Sequence, residues 1–194
     1  MSQPSDQYCI DAVINGDVQT FSVLVDRYKH MVFSLAMKML KNREEAEEVA
    51  QDVFLKVYQA LTTFKGESKF STWLYKIAYH RCLDSIKKNG RAIQTTSIDE
   101  FAIHHIPAMD STLDGLEAKD RKAIIKAAIA ELSAEDGVVI TLHYFEALSL
   151  KEISKVMGLS VDTVKVRLFR SRKRLANLLA NRLQPETLKT YGKG

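Results

Sequence analysis

Apolar residues recur every three or four positions along most of the chain, which is the spacing of an amphipathic α-helix. The two-residue alternation of β-strands is almost absent, and glycine (8) and proline (3) are scarce. We therefore expect an all-α protein. The periodic runs and their capping residues predict helices at about 6–14, 18–40, 43–63, 72–88 after a Ser71 cap, 118–131, 134–146, 149–157 and 161–182.

Two helical blocks are separated by residues 91–117, where the helical period is weak and Pro107 occurs. We therefore expect two small helical domains, at residues 6–90 and 118–184, joined by a linker. A chain of 194 residues, 46% of them hydrophobic, has the size and composition for cores of that kind.

Charge is distributed unevenly around this linker, although the net charge of the whole chain is only +4. Residues 92–118 hold five acids and no lysine or arginine, whereas residues 119–184 hold thirteen basic residues and seven acids. A basic domain that follows an acidic linker is typical of nucleic-acid binding.

The segment 149–174 predicts a helix-turn-helix. Ser149 is a good N-cap, and Glu152, three residues later, completes a capping box. Gly158 falls where a C′ glycine ends a helix, and Ser160 caps the next one. That second helix, as far as position 174, carries six lysines or arginines and one acid. In such a module the second helix is the one that enters the major groove.

The basic helix has two different faces. Its apolar stripe predicts a core face at Val161, Val164, Leu168 and Leu175. The opposite face carries Asp162, Thr163, Val166, Phe169, Arg170 and Lys173. A basic surface suits phosphates, Arg170 can pair with a guanine edge, and apolar side chains suit a thymine methyl. A solvated basic helix without a ligand is the alternative, but turn, caps, stripe and charge together favour DNA binding.

Aromatic and basic residues alternate at the end of the first block. Five aromatics lie among lysines, at Phe64, Phe70, Trp73, Tyr75 and Tyr79. On the predicted helix after Ser71, one face carries Trp73, Lys76, His80 and Lys87. Such a face suits unstacked bases and backbone phosphates. Ordinary core packing is an equally good interpretation, and by default it accounts for Phe64, Tyr75 and Tyr79.

An acidic run in the helix predicted at 43–63 has the same two interpretations. A solvated helix face is the usual one. However, Glu48, Gln51, Asp52 and Leu55 lie three and four positions apart, away from the core stripe. An exposed leucine beside carboxylates indicates a docking surface for a basic partner helix.

Cysteine usage and hydropathy indicate an intracellular setting. Cys9 and Cys82 are too few for a disulfide framework and lie in apolar helical surroundings, so we expect reduced core thiols. No apolar run follows a basic start, and no stretch of about 18 apolar residues occurs. We therefore expect a cytoplasmic protein without a signal peptide or a membrane span.

Enzymatic and metal chemistry find little support in the residue pattern. The histidines include an adjacent pair, His104 and His105, but no HExxH, CxxC or glycine-rich phosphate loop is present. We expect no catalytic residues, no metal and no cofactor, which disfavours an enzyme or metalloprotein.

Four segments together resemble a bacterial RNA polymerase sigma factor of the extracytoplasmic-function type, in the sigma-70 family. They are LVDRYKHMVFSLAMKML, NREEAEEVAQDVFLKVYQAL, FKGESKFSTWLYKIAYHRCLD and LSLKEISKVMGLSVDTVKVRLFRSRKRL. The resemblance covers about residues 8–182, and it is specific because the four occur in this order with an acidic linker between them.

The resemblance implies two domains, called region 2 and region 4, without the extra domains of housekeeping sigma factors. Region 2 would bind the clamp helices of the polymerase β′ subunit and open the −10 promoter element. Region 4 would bind the β flap and read the −35 element as duplex DNA. The linker would thread toward the polymerase active-site cleft. Such factors are usually held inactive by an anti-sigma protein and often serve a stress or envelope response.

The site residues implied by the resemblance fall into three sets. Polymerase binding would involve Glu48, Gln51, Asp52 and Leu55. Binding of the −10 element would involve Lys65, Ser68, Lys69, Phe70, Trp73, Lys76 and His80. Binding of the −35 element would involve Thr163, Lys165, Val166, Arg167, Phe169, Arg170, Arg172 and Lys173.

This chain departs from the family pattern at three of these positions. Family members often have Asn at position 80 and Arg and Ser at 165 and 166, where this chain has His80, Lys165 and Val166. Lysine supplies a point charge rather than a fork, and valine donates no hydrogen bond. We therefore expect promoter preferences different from those of other members.

A transcription regulator with the same helix-turn-helix and an unrelated N-terminal sensor is the remaining alternative. The sequence GESKFSTWLYKIA after an acidic helix disfavours it, because a sensor domain has no need for that segment.

Overall fold

The computed structural model describes residues 4–90 and 118–182, with side chains from residue 123 onward in the second range. Eight α-helices and no strand occur in these ranges, as the hydrophobic period predicts. They are α1 (Asp6–Ile14), α2 (Phe21–Leu40), α3 (Arg43–Ala60), α4 (Phe70–Lys88), α5 (Ala118–Glu131), α6 (Ala134–Tyr144), α7 (Leu150–Met157) and α8 (Val161–Arg182).

Polar caps set most of the helix starts. The side chain of Asn42 accepts from the N–H of Glu45 at 3.1 Å, and Ser133 accepts from Asp136 at 3.3 Å. Ser149 and Glu152 form the predicted capping box at the start of α7. At its end Gly158 has φ 68°, the left-handed conformation that glycine adopts without a Cβ clash.

Several predicted boundaries are wrong by one to three residues. The helix predicted after a Ser71 cap begins at Phe70, because the carbonyl of Lys69 already accepts from the N–H groups of Thr72 and Trp73. Residues 18–20 and 61–63 form 3-10 turns rather than α-helix. Finally, α6 ends at Tyr144, since Ala147 has φ 51° and turns the chain.

The described residues belong to two compact units. The first contains α1 to α4 together with Ser149–Leu159, and therefore α7. Helices α2, α3 and α4 pack against one another, and α7 packs against α4. Their core is made by fully buried side chains, among them Val32, Leu35, Val53, Val57, Leu74, Ala78 and Cys82. Asp6 of α1 accepts from Arg27 and Tyr28 of α2, which joins α1 to that core.

The second unit contains α5, α6 and α8. Helix α8 packs against both α5 and α6. Its core includes Ala128, Val138, Val139, Leu142, Val164, Leu168, Leu175 and Leu179. Three of the four predicted core residues of α8 are therefore buried. Val161 is not, with 39% of its surface exposed, because it lies in the first turn of the helix.

Two expectations about side chains and hydropathy can be compared with these residues. Cys9 and Cys82 are both free and fully buried, as predicted for core thiols. Burial raises the pKa of the Cys82 thiol to about 12, so it stays protonated. In the described parts of the chain no helix is both long enough and apolar enough to cross a membrane.

Candidate polymerase and nucleic-acid interfaces

Helix α3 separates a buried apolar face from an exposed mixed face. Ala46, Val49, Val53 and Val57 are buried. Glu48, Gln51 and Leu55 are exposed on the other side, and Leu55 has 62% of its surface in solvent. Asp52 is half-exposed and lies 3.5 Å from the guanidinium of Arg81 on α4. The structure thus brings the four predicted polymerase-binding residues onto one surface, which we call the α3 patch.

Tyr58 extends the α3 patch and was not singled out from the sequence. It lies one turn beyond Leu55, is 41% exposed, and packs edge-on against Phe21 with ring centroids 5.2 Å apart. The three-residue spacing from Leu55 was the signal available in the sequence. An exposed leucine and tyrosine on one helix form apolar surface of the kind found at protein interfaces.

An aromatic cluster connects the segment before α4 to the helix itself. The rings of Phe64, Phe70 and Trp73 lie 5.4 to 5.7 Å apart, and Phe70 also contacts Tyr28 at 5.5 Å. Phe70 is only 3% exposed. Its ring is therefore in the core, where it supports Trp73 rather than facing solvent. Tyr75 and Tyr79 are buried as well, in agreement with their default assignment.

A cleft of about 330 Å³, which we call the α4 cleft, lies beside this cluster. It brings together four of the predicted −10 residues, Lys65, Ser68, Trp73 and Lys76. Thr63, Phe64, Glu67, Thr72 and Lys155 complete its lining. An aromatic ring beside several lysines can stack on a base and neutralise phosphates. Of the remaining predicted residues, Lys69 is exposed just before α4, and His80 lies one turn beyond Lys76.

His80 is half-buried and lies beside the ring of Tyr79, with centroids 5.4 Å apart. Burial lowers the pKa of His80 below its ordinary value of 6.5, and the nearby charges of Lys76 and Lys87 lower it further, against a smaller opposing effect of Asp84. The imidazole is therefore neutral at neutral pH.

The predicted −35 residues lie on the part of α8 that follows its Ser160 cap. The N–H of Thr163 donates to the Ser160 hydroxyl at 3.1 Å. A second cleft of about 190 Å³, which we call the α8 cleft, is lined by Thr163, Val166, Arg167 and Arg170 together with Asp136, Asp162 and Arg174. Lys165, Val166 and Lys173 are exposed, and Phe169 is half-buried.

Two arginines of the predicted −35 set have partners within their own unit. Arg167 forms a partly buried ion pair with Glu135 of α6. The guanidinium of Arg172 lies over the ring of Tyr144, 5.9 Å from its centroid. These contacts hold α8 against α6 and compete with any contact that either side chain makes to DNA.

Asp136, which follows Glu135 in α6, is a further acid whose role was not predicted from the sequence. It is only 4% exposed, accepts from the Ser171 hydroxyl at 2.8 Å and forms an ion pair with Arg174. Its place in the first turn of α6, after the Ser133 cap, suggested only a helix-start role. The pairing links residues 35 and 38 positions apart, so no local spacing could reveal it.

No group of three or more His, Cys, Asp or Glu side chains suited to a metal ion occurs in residues 4–90 and 123–182. The histidine pair His104–His105 and the acidic linker lie outside the described residues.

Comparison with known families finds two matches in this chain. Residues 24–92 match the model of sigma-70 region 2, and residues 122–175 match that of sigma-70 region 4. The α3 patch and the α4 cleft, apart from Lys155, lie in the first match, and the α8 cleft lies in the second.

Relatives match over nearly their whole length. The chain is 31% identical to the RNA polymerase sigma-H factor of Pseudomonas aeruginosa, over 92% of this chain and 96% of that one. It is 30% identical to the ECF RNA polymerase sigma-E factor of Escherichia coli K12, over 90% and 94% of the two chains.

A solved structure of the sigma factor RpoE bound to the anti-sigma factor NepR, from Bartonella quintana, is similar to this fold. The TM-score is 0.60 at 25% identity, over 82% of this chain and 96% of that one. The structure of CnrH in complex with the cytosolic domain of CnrY has the same fold, with a TM-score of 0.61 at 23% identity, over 90% and 96%.

Proposed function

This chain belongs to the sigma-70 family of RNA polymerase sigma factors, in the extracytoplasmic-function group, and from that premise we propose which of its surfaces carry each step of promoter recognition. As a sigma factor it directs RNA polymerase to promoters. The family consists of non-enzymatic transcription factors. We assign no catalytic residue, metal or cofactor to it, since the chemistry belongs to the polymerase.

The α3 patch binds core RNA polymerase in this proposal, through the clamp helices of β′. The observation that supports it is the exposure of Leu55 one turn beyond Asp52, on a helix whose other face is already buried. An exposed leucine offers apolar contact, and Glu48 and Asp52 offer charge complementarity to a basic helix. Tyr58 adds a rigid aromatic anchor at the edge of the patch.

The α4 cleft holds unpaired bases of the −10 element. Extruding a base costs a few kcal/mol of unstacking. Stacking on an aromatic ring returns about 1–3 kcal/mol per base, and Trp73 lines the cleft and packs against the buried ring of Phe70. Lys65 and Lys76 supply charge for the strand backbone. Lys69, Ser68 and His80 complete the surface, while Phe70 contributes as a support.

Helix α8 reads the −35 element in duplex form, where phosphate contacts position the protein and base contacts specify the sequence. Arg170 and Val166, which line the α8 cleft, contact base edges, and Thr163 and Phe169 lie beside them. Lys165 and Lys173 are exposed and contact phosphates. Arg167 pairs with Glu135 and Arg172 lies over Tyr144, so both also hold α8 against α6.

Further partners follow from the family rather than from a surface of this chain. Both structural relatives are complexes with another protein, one of them named as an anti-sigma factor. We propose that an anti-sigma protein regulates this chain in the cytoplasm, in a stress or envelope response. The β flap of the polymerase is the proposed partner of region 4.

Run-off transcription tests the function directly. Core RNA polymerase would be incubated with genomic fragments from the source organism, with and without this protein. We expect new discrete transcripts whose start sites define both promoter elements. Silence combined with failure to bind core polymerase would contradict the assignment. The alternative of a regulator with an unrelated N-terminal sensor is disfavoured, since region 2 itself matches at residues 24–92.

A further inference from the structure

Helix α7 does not stand apart from the proposed −10 surface. It belongs to the same compact unit as α1 to α4 and packs against α4, the helix that carries Trp73, Lys76 and His80. In the sequence α7 is the first helix of the predicted helix-turn-helix, so a packing partner on α4 was not expected. The position of this helix is therefore a feature that DNA recognition alone does not explain.

The end of α7 approaches α4 closely at His80. A Cβ atom on Gly158 would lie 3.7 Å from Cε1 and 3.9 Å from Nε2 of the His80 ring. Gly158 already needs its left-handed conformation to end the helix. The same glycine therefore ends α7 and brings its backbone against a residue of the −10 surface.

The middle of α7 reaches the cleft itself. Lys155 lines the cleft together with Trp73, Lys65 and Lys76. At the start of α7, hydrogen bonds from the Ser149 N–H and hydroxyl hold the pKa of Glu152 below its ordinary value, and the positive charge of Lys69 lowers it further. Residues of α7 thus approach His80, share the cleft with Trp73 and influence the segment before α4 through the charge of Lys69.

We propose that α7 is an intramolecular occupant of the −10 surface, and that α7 and the −10 strand exclude each other there. This inference rests on the proposed function, because it takes the α4 cleft to be the site where −10 bases bind. In the free chain α7 covers the cleft beside Trp73. When promoter DNA enters, α7 leaves α4.

The charges around the cleft explain why such a contact can be exchanged. Lys155 adds a third lysine to Lys65 and Lys76, and among the described residues of the lining Glu67 is the one acid. Like charges held in one cleft weaken the contact of α7 with α4. A strand of DNA brings phosphates that neutralise the same lysines, so exchange of α7 for DNA relieves the repulsion.

The chain is well suited to a fluorescence test, because Trp73 is its single tryptophan and both native cysteines are fully buried. Lys155→Cys in the full chain would be labelled with bimane, a dye that tryptophan quenches on contact. Lys88→Cys is the matched control, since it is an exposed lysine about 22 Å along the same helix from Trp73. Trp73→Phe in the Lys155→Cys background shows whether Trp73 is the quencher.

For the free chain we expect loss of bimane fluorescence at position 155, no loss at position 88, and recovery with Trp73→Phe. Equal brightness at the two positions, in variants with unchanged helical circular dichroism, would overturn the occupancy.

The labelled chain would then be bound to core polymerase and to a promoter fragment mapped by run-off transcription. We expect the quenching to disappear in the promoter complex, and persistent quenching there would overturn the mutual exclusion. Binding to core is scored separately by co-elution. Failure to bind core would contradict the proposed function, while the free-chain measurement would still decide whether α7 occupies the surface.

Discussion

Asp136 shows how a single buried acid fixes the position of helix α8. Its carboxylate accepts from Ser171 and pairs with Arg174, two residues one turn apart on α8. A buried carboxylate with two partners is favourable only in one arrangement of α6 and α8. Asp136 therefore fixes the position of α8 against α6, and with it which side chains of α8 remain exposed.

We expect Asp136→Ala to lower the free energy of unfolding by about 2 kcal/mol, since it removes hydrogen bonds to a charged group and leaves the buried Ser171 hydroxyl unpaired. Urea unfolding followed by circular dichroism measures this. Glu146→Ala is the control, because Glu146 is exposed, and its effect should stay within about 0.5 kcal/mol. Equal effects of the two changes would contradict the role of Asp136.

The lowered pKa of His80 has a consequence for stability. The folded chain binds a proton at His80 less readily than the unfolded chain, whose pKa is near the ordinary value of 6.5. As pH falls below that value, the unfolded state gains the proton first and is stabilised. The His80 contribution is therefore complete above the ordinary pKa and is lost on acidification.

This dependence is measurable by urea unfolding at about pH 7.5 and about pH 5.5, on either side of the ordinary histidine pKa. Between these values we expect the native chain to lose more free energy of unfolding than His80→Gln does. Comparing the two proteins cancels the titration of other groups. A difference that does not change with pH would mean that His80 titrates normally in the folded chain.

Among the helices, α3 has one face that packs in the core and another that is exposed and is proposed to bind the polymerase. Val53 and Val57 face the core, whereas Leu55 and Tyr58 face solvent. The same helix can therefore lose an exposed apolar side chain without losing its packing. This arrangement allows the polymerase contact to be tested independently of folding.

For Leu55→Ala we expect a change in unfolding free energy within about 0.5 kcal/mol and a loss of core-polymerase affinity of about 1 kcal/mol or more. Titration of labelled sigma with core polymerase measures the affinity. Val18→Ala, which truncates another exposed apolar side chain outside α3, should change neither quantity. Unaltered affinity of Leu55→Ala would remove Leu55 from the interface.

In the proposed −35 interface, helix α8 combines base contacts with phosphate contacts, and the two should respond differently to mutation. We expect Arg170→Ala to weaken promoter binding by about 1–3 kcal/mol and to relax the preference at one base position. Lys173→Ala should weaken binding to all sequences alike and reduce the salt dependence, because it removes a phosphate contact. Footprinting of the holoenzyme on promoter variants compares them, and an unchanged footprint with Arg170→Ala would exclude that residue from the readout.

At the scale of the whole molecule, the α4 cleft joins residues that are far apart in the chain. Of the described residues that line it, only Lys155 comes from outside residues 63–76. We expect Lys155→Glu to strengthen the contact of α7 with α4, since a carboxylate there attracts Lys65 and Lys76. Promoter opening by the holoenzyme should then be slower.

Lys151→Glu is the matched control, because Lys151 is also exposed on α7 and makes the same charge change but does not line the cleft. Permanganate footprinting of the −10 region over time measures opening for both variants. If both slow opening equally, the effect comes from net charge, and the proposed competition between α7 and DNA fails.

Local order was predictable because it depends on residues a few positions apart. The capping box of Ser149 and Glu152, the Gly158 stop and the buried stripe of Val164, Leu168 and Leu175 all follow from three- and four-residue spacing. Errors occurred where a local signal was ambiguous. Ser71 had the right side chain for a cap, but the carbonyl of Lys69 had already begun the helix.

Local spacing and the order of motifs were enough to predict the all-helical class, the approximate positions of the helices, most of their caps and the family of the chain. Which of the predicted site residues pair with other residues or are buried depends instead on the tertiary structure. Arg167 was predicted for DNA and pairs with Glu135, 32 positions away. Phe70 was predicted for DNA and is buried. The packing of α7 on α4 likewise joins distant segments, because such contacts depend on how helices pack and leave no mark in local spacing.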